Sequence, residues 1–305
     1  MCQLLGLNSS QPTDICFSFT GFKARGGVTD HHADGWGIAF FEGRGVRILQ
    51  DHLPSCKSAL AELVCAHPIP ATNIIGHIRK ATRGDVCLEN THPFHRELWG
   101  RHWVFAHNGT LADFAPQLNG RFRPVGRTDS ELAFCWLMQG LQDTFGDYPP
   151  DQHSLFEFVR EASIAITQHG PFNFLLSNGE LLFANCSTRL SYLDRQAPYA
   201  PAHLIDSDVT MDFGASGSAG GRTVVIATTP LTDNEQWTSM PAGSLWCFAN
   251  GEVLATAPTL EGRIPVDEFA HAPSVSRSQH QGQLPIQQQM GQARFADFAG
   301  VLSAC

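Results

Sequence analysis

The residue that follows the initiator methionine is a cysteine, and this position gives it an unusual chemical capacity. Removal of Met1 would leave Cys2 with a free α-amine beside its own thiol, so that one residue supplies both a nucleophile and a base. A cysteine is otherwise a small, mostly buried side chain that needs no function. Position alone therefore suggests a nucleophile only if other residues supply what such a nucleophile requires.

Attack on an amide requires hydrogen-bond donors for the negative charge that develops on the carbonyl oxygen. The stretch Ala106-His107-Asn108-Gly109 follows an apolar run and offers the Asn108 side-chain amide and the Gly109 backbone N–H as such a pair. Glycine also lets the backbone approach a substrate closely. The Asn-Gly dipeptide is equally typical of turns, so both interpretations stay open for this stretch.

Two charged side chains could bind the two ends of a substrate. Arg79 ends the apolar run 73–78, and its planar guanidinium suits a carboxylate, although an arginine at a strand end can equally pair on the surface. Asp129 lies in the first turn of a predicted helix, where it could hold an ammonium group or simply interact with the helix dipole. Neither residue indicates a function by itself.

Several predicted strands would position these side chains. Runs rich in β-branched and aromatic residues predict strands over 73–78, 103–107 and 223–227. Asn178-Gly179 and Asn250-Gly251 each separate two apolar runs, which predicts hairpins over 172–186 and 245–255 with type I′ turns.

Two helices are marked by capping boxes, one starting at Thr128 and one at Ser154, and Gly170 ends the second. Several hairpins with few long helices predict an α+β fold. Beyond Ile264 the chain becomes rich in Gln, Ser, Gly and Pro. This change predicts one domain over residues 1–264 and a mostly disordered tail over 265–305.

The overall composition argues against several classes of function. The 305-residue chain has a net charge of −9 and no run of Lys or Arg, which argues against nucleic acid or an anionic membrane as a partner. No apolar stretch approaches the length of a membrane span, which is about 20 residues, and the sequence shows no signal-peptide pattern. The nine cysteines are scattered without a CxxC pair, which favours a reducing cytoplasm over a disulfide framework.

The fourteen histidines invite comparison with metal sites. Three groups could be metal ligands by residue type: His31-His32 with Asp34, His92 with His95, and His102 with His107. No HExxH or Cys/His spacing accompanies them, so we predict neither a metal nor another cofactor. The glycine-rich stretch 214–221 likewise lacks the Lys-Ser/Thr of a phosphate-binding loop.

Together, these stretches resemble the class II glutamine amidotransferases, whose N-terminal cysteine releases ammonia from glutamine. The resemblance runs from Met1 to about residue 255 and is carried by six stretches in the same order: Met1-Cys2, Asp34-Gly35-Trp36-Gly37, residues 76–82, residues 90–94, His107-Asn108-Gly109 and Thr128-Asp129. The second and fourth are most similar to the stand-alone, single-domain YafJ-type branch. One departure is Lys80, where the large synthases have a tryptophan, which leaves lid closure on an aromatic side chain in doubt.

The resemblance implies a role for each matching residue. Cys2 would attack the side-chain amide carbon to form a thioester, its α-amine would carry the proton, and Asn108 with Gly109 would hold the oxyanion. The remaining roles concern substrate binding: Arg79, helped by Thr82, would take the α-carboxylate, and Asp129 would take the α-ammonium group.

Three further residues are candidates for the site by the same resemblance: Arg25, Trp36 and His92. Arg25 would match an arginine near the nucleophile in relatives, and Trp36 would pack as core behind the wall of the cleft. The implied fold is the four-layer αββα sandwich of the N-terminal-nucleophile hydrolases, with antiparallel sheets and Cys2 at the start of a central strand.

The physiological reaction stays open at this level. Ammonia would pass to a separate synthase partner, or the protein would act alone as a γ-glutamyl amidohydrolase on glutathione-like or ergothioneine-precursor compounds. Two rivals are a non-catalytic glutamine-sensing module and a bile-salt- or penicillin-type amide hydrolase. The second rival would have no use for Arg79 and Asp129. The oligomeric state is not determined by the sequence.

Overall fold

Two antiparallel sheets lie at the centre of the protein, in a computed structural model that describes residues 2–82, 84–215 and 221–259. The strands within these residues are β1 (Gln3–Thr13), β2 (Trp36–Glu42), β3 (Gly45–Asp51), β4 (Ala71–Ile78), β5 (Phe94–Leu98), β6 (Arg101–Gly109), β7 (Phe172–Ser177), β8 (Leu182–Cys186), β9 (Ser191–Arg195), β10 (Ala202–His203), β11 (Thr210–Met211), β12 (Thr223–Ala227), β13 (Thr238–Ser239), β14 (Ser244–Ala249) and β15 (Glu252–Pro258). The α-helices are α1 (Cys16–Ala24), α2 (Ala59–Ala66), α3 (Asp129–Phe145) and α4 (Gln152–Thr167).

The strand order places the start of the chain in the middle of one sheet. The first sheet has the order β13-β9-β12-β1-β4-β2-β3, and the second has the order β15-β14-β8-β7-β6-β5. Strand β1 is therefore flanked on both sides, by β12 and by β4. Cys2 directly precedes β1, as expected for a residue at the start of a central strand.

Alternation of side chains along the strands builds three apolar layers. In β1, Leu4 packs between the two sheets, whereas Leu5 packs against the layer of α1 and α2. In β6, Val104 packs between the sheets, whereas Phe105 stacks on Phe134 of α3 with ring centroids 5.1 Å apart. The layers thus follow the order helices, sheet, sheet, helices, which confirms the predicted α+β fold and its αββα sandwich.

The two predicted helices form, but only one begins where the sequence pattern places it. Thr128 caps α3, and its hydroxyl accepts the N–H of Glu131 at 3.1 Å. The predicted start of the next helix at Ser154 is wrong, because Asp151 caps α4 by accepting the Ser154 N–H at 2.9 Å. Aspartate is as good an N-cap as serine, and it occurs first along the chain.

Both predicted hairpins are present, and their turns differ. Asn250-Gly251 connects β14 to β15 with φ values of 53° and 74°, the positive pair that a type I′ turn requires. The predicted type I′ turn between β7 and β8 is wrong. There Ser177 pairs with Leu182, and of the four residues between them only Gly179 has a positive φ. Asn178 instead accepts two following backbone N–H groups through Oδ1.

Some predictions lie outside the described residues. They concern the tail over 265–305, the end of the preceding domain at 260–264, and the removal of Met1. The domain boundary therefore stays a prediction. Within the described part of the chain, no helix is both long enough and apolar enough to cross a membrane.

Candidate active site

Cys2 is half-buried and contacts the chain segment that leaves β4. Its Sγ accepts the Lys80 N–H at 3.2 Å and donates to the Lys80 carbonyl at 3.4 Å. This contact follows from the β1–β4 register, in which Gln3 lies opposite Ile78. Burial raises the pKa of the Cys2 thiol above its usual value, while the Lys80 N–H and the charge of Arg79 act in the opposite direction. A thiol with a raised pKa needs a base before it can act as a nucleophile.

Asn108 reaches Cys2 from the second sheet. Its Nδ2 donates to the Cys2 carbonyl oxygen at 2.6 Å, and the residue is 1% exposed. An amide nitrogen carries two hydrogens, and the second makes no hydrogen bond within the described residues. The Asn108 carbonyl is fixed in turn by Asn173, whose Nδ2 donates to it at 3.0 Å. An amide donor is thus held rigidly beside the sulfur-bearing residue.

Gly109 ends β6 opposite Phe172 of β7. A Cβ at this position would overlap the Pro171 carbonyl and lie 2.6 Å from Nε2 of His107. Close packing of β6 against the residue before β7 therefore requires glycine here. The sequence suggested a different reason for glycine here, namely the close approach of a substrate. The role of the Gly109 N–H stays a prediction.

Arg79 is buried, 3% exposed, and its guanidinium contacts the loop that follows β4. Nη1 donates to the Asp85 carbonyl at 2.9 Å and Nη2 donates to the Gly84 carbonyl at 3.2 Å. Its backbone extends the β2–β4 ladder, because the Arg79 N–H donates to the Gly35 carbonyl at 2.8 Å. The arginine chosen from the sequence thus lies one residue from the Lys80 contact with Cys2 and shapes the loop beside it.

Asp34 is a neighbour of the site that the sequence argument treated only as part of a motif and as a metal candidate. Its Oδ2 accepts the Ala81 N–H at 2.8 Å, and its backbone N–H donates to the Arg79 carbonyl at 3.2 Å. Its charge acts to raise the pKa of the Cys2 thiol. Its place two residues before β2, the strand that pairs with β4, is the signal that could have revealed this contact.

Thr82 and Asp129 both contact the segment that follows β6. The Thr82 hydroxyl is 3.1 Å from the Thr110 hydroxyl, which joins the segment after β4 to the segment after β6. The next residue, Leu111, donates its N–H to Oδ2 of Asp129 at 2.7 Å, and the Ser130 N–H donates to Oδ1 at 3.0 Å. The carboxylate predicted to bind an ammonium group is therefore held beside the end of β6.

His107 connects the oxyanion stretch to α3, a contact that the sequence argument missed. Its Nε2 lies 3.1 Å from the Pro171 carbonyl, which can only accept, so Nε2 carries the hydrogen. Nδ1 then accepts the hydroxyl hydrogen of Ser130 at 2.8 Å. Burial lowers the pKa of this imidazole, which keeps it neutral. Strand alternation could have predicted this contact. Adjacent residues of a strand face opposite sides of the sheet, so His107 faces α3 if Asn108 faces Cys2.

Two of the additional candidates make structural contacts. The Arg25 Nε pairs with Asp206 at 2.7 Å, and its other nitrogens donate to Thr229 and to the Pro230 carbonyl. No hydrogen bond joins Arg25 to Cys2 within the described residues. Trp36 is fully buried and packs on Phe19 with ring centroids 5.5 Å apart, as expected for a core residue.

The third candidate, His92, packs against His77 with ring centroids 4.2 Å apart and ring planes inclined by 39°. Burial lowers the pKa of His77 to about 3 and holds that of His92 well below its usual value, so neither imidazole is an effective base near neutral pH. Within the described residues, no group of three or more His, Cys, Asp or Glu side chains could hold a metal ion.

The backbone of His92 also packs closely against strand β2. A Cβ on Gly37 would overlap the His92 carbonyl oxygen and would lie 3.0 Å from Cδ of Pro93. The absence of a side chain at Gly37 therefore lets this loop approach the strand that leads into the site.

Comparison with known proteins identifies the family of the chain. The profile of the family "Glutamine amidotransferases class-II" matches residues 1–268. The chain is 48% identical over 252 residues to "Putative glutamine amidotransferase YafJ" of Escherichia coli, an alignment that covers 83% of this chain and 99% of that protein. A Haemophilus influenzae protein described as "Putative glutamine amidotransferase" is 50% identical over 255 residues, covering 84% of this chain and 86% of that protein.

Solved structures show the same fold. A crystal structure described as a predicted glutamine amidotransferase from Pseudomonas aeruginosa has a TM-score of 0.67 at 45% identity, covering 83% of this chain and 100% of that one. Glutamine phosphoribosylpyrophosphate amidotransferase from B. subtilis has a TM-score of 0.51 at 13% identity, covering 85% of this chain and 49% of that one. The neighbours have the N-terminal-nucleophile hydrolase fold, and the general chemistry of the family is hydrolysis or transfer of the glutamine amide. The chain belongs to the class II glutamine amidotransferases.

Proposed function

We propose that the protein hydrolyses the side-chain amide of glutamine, or of a γ-glutamyl compound, through a thioester on Cys2. One observation carries this proposal: the Asn108 amide on β6 and the Lys80 backbone just beyond β4 both hydrogen-bond to Cys2. A sulfur nucleophile beside a fixed amide donor has the components that acyl transfer from an amide requires.

The base in this mechanism is the α-amine of Cys2 after removal of Met1. An α-amine has an ordinary pKa of about 7.7–8.0, which suits proton transfer near neutral pH. It takes the thiol proton as sulfur bonds to the amide carbon, and it returns a proton to the leaving nitrogen as ammonia departs. Water then attacks the thioester, which releases glutamate and restores the thiol. Asn108 and Gly109 stabilise the oxyanion of both tetrahedral intermediates.

Arg79 and Asp129 select the substrate by its two backbone charges. Each oxygen of Asp129 accepts one backbone N–H and retains further lone pairs for an ammonium group. Arg79 would exchange a loop carbonyl for the α-carboxylate, a planar partner of the kind that its guanidinium prefers. Thr82 lies where the segment after β4 meets the segment after β6, and it supports this binding.

Two fates of the ammonia are consistent with the mechanism. It passes to a separate synthase, or it is released by a protein that acts alone on a γ-glutamyl compound. We place the reaction in the cytoplasm, since the eight cysteines of the described residues are all free thiols.

The test compares glutamine hydrolysis by the wild-type protein and by Cys2→Ala, measured as release of glutamate and ammonia. We expect turnover by the wild type and none by the variant. Mass spectrometry of the wild-type protein is expected to show a chain without Met1 and a glutamyl adduct on Cys2. Cys16→Ala is the control, because this half-buried cysteine lies on α1, where its thiol donates a hydrogen bond to the Val64 carbonyl. Equal release by wild type and Cys2→Ala would contradict the proposal and favour a glutamine-sensing module.

A further inference from the structure

Asp34 holds the chain on both sides of Lys80. Its backbone N–H donates to the Arg79 carbonyl at 3.2 Å, which extends the β2–β4 ladder past the Trp36–Ile78 pair. Its carboxylate reaches two residues further along, where Oδ2 accepts the Ala81 N–H at 2.8 Å. The backbone and the side chain of one residue therefore fix the two peptides that flank Lys80.

Lys80 is the residue whose backbone contacts the Cys2 sulfur. Its N–H donates to Sγ at 3.2 Å, and its carbonyl accepts from Sγ at 3.4 Å. A donor to sulfur favours the thiolate, whereas an acceptor favours the thiol. The orientation of the Lys80 backbone therefore influences how readily the sulfur becomes a nucleophile.

We propose that Asp34 is a positioning residue for the nucleophile: by holding the Ala81 N–H, its carboxylate keeps the carbonyl of the same peptide group, that of Lys80, directed at the Cys2 sulfur. The inference rests on the proposed function of Cys2. Asp34 does not touch the reacting atoms and acts through the backbone of Lys80.

The charge of Asp34 and its hydrogen bond to Ala81 act on the Cys2 sulfur in the same direction. A negative charge near the sulfur disfavours the thiolate, and so does the Lys80 carbonyl that the carboxylate holds in place, because it accepts the thiol hydrogen. Arg79 and the α-amine of the chain are the other charged groups that act on the Cys2 thiol, and both favour the thiolate. Asparagine removes only the charge and alanine removes both effects, so the two substitutions separate them.

The experiment uses Asp34→Asn and Asp34→Ala in the full-length chain. Asparagine removes the charge but keeps an oxygen that can accept the Ala81 N–H, whereas alanine removes both. The rate of alkylation of Cys2 by iodoacetamide is followed against pH by peptide mass spectrometry, and glutamine kinetics are measured in parallel. Asp151→Asn is the matched control, since Asp151 caps α4 and also accepts a backbone N–H. If Asp34→Ala does not fold, Asp34→Val, which is close in shape to aspartate and lacks an acceptor, replaces it.

We expect the midpoint of the Asp34→Asn alkylation curve to lie at lower pH than that of the wild type, with kcat/KM changed by less than about threefold. The midpoint of Asp34→Ala is expected below that of Asp34→Asn, because the Lys80 carbonyl is no longer held at the thiol. We expect its kcat to fall about tenfold or more with KM little changed, since the hydrogen bond that positions the backbone beside the sulfur is lost. Asp151→Asn should match the wild type.

Coincident curves for Asp34→Asn and Asp34→Ala would overturn the proposal, since they would show that only the charge matters. An Asp34→Asn midpoint at or above that of the wild type would overturn it as well. The alkylation curves do not depend on turnover, so a wild-type protein without glutaminase activity would refute the proposed function and leave the Asp34 result interpretable.

Discussion

Buried asparagines near the two ends of the β1–β4 strand pair are in opposite states. At the end remote from Cys2, Asn8 Nδ2 donates to Asn73 Oδ1 at 3.0 Å, and Asn73 Nδ2 donates to the Gly179 carbonyl at 2.9 Å. The Gly251 N–H completes this network by donating to Asn8 Oδ1 at 2.7 Å. At the Cys2 end, Oδ1 of Asn108, which lies on β6 of the facing sheet, has no hydrogen-bond partner within the described residues.

This difference separates stability from chemistry near the two ends of one strand pair. A buried polar atom without a partner costs about 1–3 kcal/mol, so a fully bonded amide network stabilises the fold and an incomplete one does not. An incomplete network retains donors and acceptors that a substrate can use. The remote end therefore fixes the register of the strands, and the Cys2 end keeps the capacity to bind.

The largest expected effect is at the Cys2 end. Asn108→Ala removes the amide donor beside Cys2, and we expect kcat for glutamine hydrolysis to fall by about 10²–10³. Only the Cys2 carbonyl loses a partner in this variant, since Oδ1 of Asn108 has none within the described residues, so the free energy of unfolding should fall by about 1 kcal/mol. Steady-state kinetics and urea denaturation measure the two quantities. A fall in kcat of less than threefold would contradict the assigned role.

The same substitution at the remote end should affect stability rather than activity. Asn73→Ala leaves Asn8 Nδ2 and the Gly179 carbonyl without partners, so we expect the free energy of unfolding to fall by about 1–3 kcal/mol. The kcat should stay within about twofold of the wild-type value, since Asn73 is remote from Cys2 along β4. Urea denaturation and kinetics are run beside those of Asn108→Ala. A variant that loses activity without losing stability would remove the contrast between the two ends.

A smaller effect concerns the pH dependence of stability. The pKa of His77 is about 3 in the folded protein, against an ordinary value near 6.5, because burial disfavours the charged imidazole. Between these pH values the unfolded chain binds a proton that the folded chain does not. The free energy of unfolding therefore falls as the pH is lowered from about 6.5, by up to about 1.4 kcal/mol per pH unit from this residue.

Substitution of His77 should reduce that slope. His77→Gln removes the titrating group, so its urea denaturation midpoints at pH 7.5, 6.0 and 5.0 should vary less than those of the wild type. His67→Gln, at an exposed histidine, is the control and should keep the wild-type slope. Equal slopes for wild type and His77→Gln would show that the buried imidazole does not titrate on unfolding.

Local pattern was sufficient for much of the fold. The Thr128 cap, the Asn250-Gly251 turn and the strand over 223–227 all depend on neighbouring residues, and the structure contains each of them. The cap of α4 was misplaced because Asp151 and Ser154 are both good caps, and only the three-dimensional structure chooses between them. The turn at Asn178 differs for a similar reason, since its side chain bonds to the loop backbone.

The candidate site was predictable to the extent that a few residue types are required by chemistry. The sequence indicated Cys2, Asn108 and Asp129 as residues that could act together, and the first two are in contact. The contact of Asp34 with Ala81 and that of His107 with Ser130 could not be predicted from spacing alone. They depend on which strands are neighbours, and that is a property of the assembled sheets.

The absence of a side chain at Gly37 on β2 has a consequence for protein engineering. A scaffold designed to receive the loop around His92 and Pro93 must also offer a residue without a side chain beneath it, because even one methyl group would push the loop backbone away. The two stretches are far apart in the chain, yet they can be transplanted only together. Grafting either one alone would lift the loop and shift the strand that leads to the nucleophile.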